Sequence, residues 1–85
     1  MNFTRTYLRC TRSIIAKAYG YSQSRTIMEK LQRAVDKMEE TDPLIKQLGV
    51  YTGGESLWPD QVEAIVKILG TPQEPELLYK EQLRS

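Results

Sequence analysis

The sequence predicts an all-α fold, a small bundle of four to five short helices. Three observations predict it. Apolar residues recur at helical spacing in two segments, a third segment is amphipathic with a cationic face, and glycine or proline punctuates the joins. The chain has 85 residues, which fits one domain over residues 1–85. Hydrophobic residues make up 40% and charged residues 27%, so the composition is that of a folded globular protein. A core of this size is marginal alone, which leaves room for completion by oligomerisation or by a partner.

Residues 1–20 read as a cationic amphipathic helix. At 100° per residue, Phe3, Tyr7, Cys10, Ile14 and Ala18 share a face, and Arg5, Arg9 and Arg12 lie opposite. Gly20 weakens or ends it. Residues 26–48 hold the main helix and a short continuation. Ile27, Met28, Leu31, Ala34, Val35 and Met38 form a wide apolar stripe, and Thr26 with Glu29 matches a capping box. Ser22 or Ser24 would start that helix slightly earlier. Thr41-Asp42-Pro43 stops the helix or restarts it, since proline suits a first turn. Leu44, Ile45 and Leu48 continue to Gly49.

Residues 56–85 form the C-terminal helical part. Ser56 is a cap candidate for a helix with Pro59 and Asp60 in its first turn and Val62, Ile65, Val66 and Leu69 as its stripe. Gly70 stops it. Thr71-Pro72-Gln73-Glu74 is a second capping-box pattern, which predicts a short last helix carrying Leu77, Leu78 and Leu83.

Charge is unevenly spread. Residues 1–40 carry eight bases and four acids, whereas residues 41–85 carry four bases and seven acids. Such asymmetry in a chain of net charge +1 hints at partners. There is no histidine, and Cys10 is the single cysteine. Those counts exclude a four-ligand zinc site, a Ser-His-Asp or Cys-His site within one chain, and an intramolecular disulfide. No metal or cofactor is expected. No apolar run is long enough to span a bilayer, and no secretory signal pattern is visible. An Arg-rich, acid-free N-terminal segment also suits mitochondrial targeting, so the localisation reads as mitochondrial or cytoplasmic, not secreted.

Two functional classes fit. The first is a non-enzymatic accessory subunit or small regulator that docks on a larger protein or complex, or on further copies of itself, through amphipathic helices. Its candidate contacts are Phe3, Arg5, Tyr7, Arg9, Arg12 and Trp58. Trp58 reads first as a core residue and second as an interface anchor. The alternative is a nucleic-acid or nucleotide binder. There Arg5, Arg9, Arg12, Lys17 and Arg25 would supply cations, and Tyr19 and Tyr21 stacking rings. Gly49 to Ser56 has the glycine spacing of a phosphate loop, but Glu55 stands where lysine is required, and a plain loop is the better reading. The clusters Glu39-Glu40-Asp42 and Glu74-Glu76 read as caps and solubilising charge rather than as acid–base pairs.

Overall fold

The computed structural model describes residues 2–49 and 56–84. Its architecture is mixed, with four helices and two small antiparallel sheets among the described residues, which corrects the all-α expectation. The first difference lies at the N-terminus. Instead of a helix over residues 3–19, the chain forms strand β1 (Asn2–Tyr7), strand β2 (Cys10–Thr11) and helix α1 (Arg12–Ala18). Phe3, Thr4, Thr6 and Tyr7 are strand formers, and Phe3-Arg5-Tyr7 alternate with the threonines at period two as well as fitting a helical face. The decisive partner is remote. Strand β4 (Tyr79–Arg84) pairs antiparallel with β1, placing Arg5 opposite Glu81 and Tyr7 opposite Tyr79. Opposite charges and aromatic pairs facing each other across strands each favour the ladder. The predicted last helix is therefore replaced by a 3-10 turn (Pro75–Leu77) leading into β4. Glu74 N–H donates to the Ala18 carbonyl at 2.9 Å, so the second capping-box segment ties back to α1 rather than starting a helix.

The central helices follow the apolar stripes more closely. Helix α2 spans Ser24–Asp36 with Ile27 and Leu31 buried. It begins before the Thr26 box, and Glu29 engages Arg25 at 3.2 Å instead of capping. Asp42 caps helix α3 (Pro43–Leu48) by accepting from Leu44 N–H at 2.9 Å. Strand β3 (Ser56–Leu57) pairs with β2, so Ser56 belongs to a ladder and not to a helix cap. Helix α4 (Pro59–Leu69) follows at once and buries Val62, Ala64, Ile65 and Val66. It ends at Gly70, where φ is 90°, a conformation that a Cβ disfavours.

One core cluster joins all of these elements. Cys10, Ile15, Ile27, Leu31, Leu48, Leu57, Ile65, Leu78 and Tyr79 all belong to it. Two glutamines fasten α3 to α4. Gln47 Nε2 donates to the Asp60 carbonyl at 2.8 Å, and Gln61 Nε2 donates to the Leu48 carbonyl at 2.9 Å. The Gln61 Oε1 meanwhile accepts from Trp58 N–H at 2.9 Å. Gln61→Glu keeps the acceptor, removes the donor and sets a carboxylate beside a carbonyl. It should cost about 1–2 kcal/mol in urea unfolding. An unchanged midpoint would show that this clasp carries no stability.

Candidate docking site

The β2–β3 ladder has only two residues per strand, and it sorts its side chains by face. Cys10 and Leu57 are opposite each other and buried. Continuing that register sets Arg9 opposite Trp58, with both side chains on the outer face. Arg9 Cζ lies 4.6 Å from the centroid of the Trp58 ring. No carboxylate among the described residues pairs with Arg9. The indole is 61% exposed, which corrects the reading of Trp58 as a core residue. Its backbone is fixed all the same, because its N–H is held by Gln61 and Pro59 opens α4 directly behind it. A large aromatic ring is thus presented to solvent on a rigid turn. The other large apolar side chain that is exposed among the described residues is Ile14, at 38%. It sits in the first turn of α1, where its N–H donates to the capping Thr11 Oγ1 at 3.2 Å.

Arg5 and Tyr7 belong to a second cluster on the β1–β4 ribbon. The Arg5 Nε donates to Glu81 at 2.6 Å, and its guanidinium lies 4.9 Å from the Tyr79 ring. The Tyr7 and Tyr79 rings meet at a tilt of 54° with centroids 5.2 Å apart. An open groove of about 530 Å³ lies between β1 and α4, lined by Arg5, Tyr7, Glu63, Lys67 and Glu81. Lys67 pairs with Glu63 at 2.9 Å, so each cation in the groove already faces a carboxylate. A phosphate placed there would meet two negative groups.

The remaining predicted residues are dispersed. Phe3 stands opposite Leu83 in the ribbon, and its side chain lies outside the described residues. Arg12 opens α1 and lines a groove with Arg25, Met28 and Glu29. Lys17 is exposed in the last turn of α1. Tyr21 Oη accepts from Lys30 Nζ at 3.0 Å, and Arg25 pairs with Glu29. The cations and rings of the nucleic-acid reading therefore do not form one uncompensated stripe, because the continuous helix face over residues 3–19 is not formed. Most of the phosphate-loop-like stretch, residues 50–55, lies outside the described residues. Sequence reasoning missed Tyr79, Glu81 and Gln61. The alternation Tyr79-Glu81-Leu83 was the available signal for the first two.

Tyr19 is structural. Its hydroxyl donates to the Gly70 carbonyl at 2.7 Å. Burial, followed by the nearby Tyr79 and Tyr7 hydroxyls, pushes its pKa well above the ordinary value. Burial also pushes the Cys10 thiol up, and that thiol donates to the Leu8 carbonyl at 3.3 Å. Both groups hold their proton more tightly in the folded state. Stability from them is complete below the unfolded pKa values and falls as pH rises past about 9 for the thiol and about 10 for the phenol. Urea midpoints should therefore decline from about pH 8.5 to about pH 11, and Tyr19→Phe should flatten the part above about pH 10. An identical decline in Tyr19→Phe would remove Tyr19 as its source.

No helix among the described residues is long and apolar enough to cross a membrane, and those residues contain no cluster of His, Cys, Asp or Glu suited to a metal ion. No protein-family model, curated protein or solved structure matches this chain.

Proposed function

We propose that this protein is a non-enzymatic accessory subunit or small regulator that docks on a larger protein. The docking face is the outer side of the β2–β3 ladder, with Trp58 as its anchor and Arg9 as its charged companion. The observation that carries this reading is the 61% exposed Trp58 ring, held on a fixed backbone and stacked by an arginine that no described carboxylate neutralises. Tryptophan and arginine are the residue types that most often dominate binding energy at interfaces. The complementary surface is an apolar pocket with a carboxylate at its rim. The pocket takes the indole, and the carboxylate meets the guanidinium from the side away from the ring.

The test is capture of the partner from the native source at low and high salt, with wild type, Trp58→Ala and Lys80→Glu compared. The expected result is one stoichiometric protein retained at high salt by wild type and by Lys80→Glu, and lost with Trp58→Ala. Lys80 is exposed on the β1–β4 ribbon and serves as the control. Recovery of nucleic acid instead, released by salt and indifferent to Trp58, would overturn the reading.

A further inference from the structure

A second, smaller cavity lies where the end of α1, the middle of α2 and the segment after α4 meet. It has a volume of about 230 Å³. Ile27, Leu69 and Tyr19 form its apolar side, and Lys30, Tyr21, Thr71 and Gln73 supply its polar groups. Lys30 is the one ionisable cation on its wall, and no carboxylate lines it. Lys30 Nζ donates to Tyr21 Oη at 3.0 Å, which leaves two ammonium protons and the Tyr21 hydroxyl proton able to donate elsewhere. The Gln73 side chain lies close against Gly20. A Cβ at residue 20 would stand 2.7 Å from Gln73 Oε1, and φ there is +82°. The bare glycine backbone is what lets the Gln73 amide sit against the turn.

We propose that this cavity binds a small monocarboxylate with a short apolar tail. One carboxylate oxygen accepts from Lys30 and the other from Tyr21, while the tail lies on Leu69 and the Tyr19 ring, the partly exposed apolar groups of the wall. One cation with no opposing acid suits a single negative charge, and a second cation for a dianion is not on the wall. The volume of about 230 Å³ falls below the roughly 300–1,000 Å³ of pockets for drug-sized ligands, which suits a ligand smaller than that class. This site is separate from the Trp58 face and does not depend on the docking proposal.

The experiment is an amide-detected NMR titration of the full chain with sodium butyrate, with butyramide as the uncharged isostere. Butyrate should give saturable shifts confined to residues around Tyr21, Lys30, Thr71 and Gln73, with a Kd on the order of 1–10 mM. Butyramide should bind at least about tenfold more weakly, and Lys30→Gln should bring butyrate down to the butyramide level. Lys30 is exposed, so this variant should keep the wild-type fold, with its own shift changes confined to the neighbourhood of residues 21 and 30, and Tyr21→Phe gives a second reading with an expected loss of several-fold. Shifts that do not saturate, that spread over all lysines alike, or that survive unchanged in Lys30→Gln would overturn the proposal.

Discussion

Ile65→Ala should lower the stability of this protein by about 2–5 kcal/mol, the largest single effect expected in the core. Ile65 is 0% exposed at the centre of α4, which packs against α2, α3 and β1. Removing three carbons there opens a cavity bordered by several elements that cannot all move inward. A domain of 85 residues has roughly 4–13 kcal/mol of stability in total, so the variant would lose a large fraction of it. Urea unfolding followed by circular dichroism measures this directly. A loss below about 1 kcal/mol would show that α4 is not the centre of the core. Leu78→Ala is a useful companion, because Leu78 is also fully buried but sits at the entry to β4. A similar loss there would show that the C-terminal strand is fastened to the same core.

Trp58→Ala should do the opposite. Its effect on stability should stay below about 2 kcal/mol and below that of Ile65→Ala, since the residue is 61% exposed and only the remaining part of its surface leaves water on folding. Its effect on partner affinity should reach at least about 2 kcal/mol, near thirtyfold in Kd. Arg9→Glu should reduce affinity too, because it removes the stacked cation and repels the carboxylate assigned to the partner. This separation of binding from folding is what distinguishes an anchor from a core residue. A stability loss comparable to that of Ile65→Ala, with affinity unchanged, would return Trp58 to the core. Trp58 is the only tryptophan in the chain, so its fluorescence reports on this one site. Burial of the ring in a partner pocket should shift its emission to shorter wavelength.

The helical stripes were legible because their spacing is a local property. Ile27 and Leu31 in α2, and Val62, Ile65 and Val66 in α4, are buried as their periodicity implies. The Asp42-Pro43 restart was legible for the same reason, since a capping carboxylate and a first-turn proline act within one helical turn. The ribbon was not. Phe3 and Tyr7 satisfy a helical face as well as a strand, and the choice between them is made by pairing with residues 79–84, more than seventy positions away. The β2–β3 pairing was hidden in a similar way, because α1, α2 and α3 lie between the two strands in the chain and two residues per strand leave no alternation to read. Misreading residues 3–19 also misplaced the candidate site. It set Phe3, Arg5, Tyr7 and Arg9 on one helix, whereas Arg5 and Tyr7 belong to the β1–β4 ribbon and Arg9 faces Trp58 across the short ladder. Trp58 was misjudged on size alone. A small domain needs its large apolar rings, but here Ile65, Leu78 and Tyr79 fill the core, and Trp58 is left outside.

The central claim is that the Arg9–Trp58 face is where a larger protein docks. A photo-reactive side chain at Ser56 tests it most directly, since Ser56 lies on the same face of the ladder and leaves Trp58 and Arg9 in place. Illumination in the native source, followed by mass analysis, should yield one dominant crosslinked protein. That product should disappear when Trp58→Ala is added, and the same photo-reactive group at Gln32, exposed on α2, should not form it. Crosslinks that are equal from both positions, or that persist without Trp58, would contradict the claim.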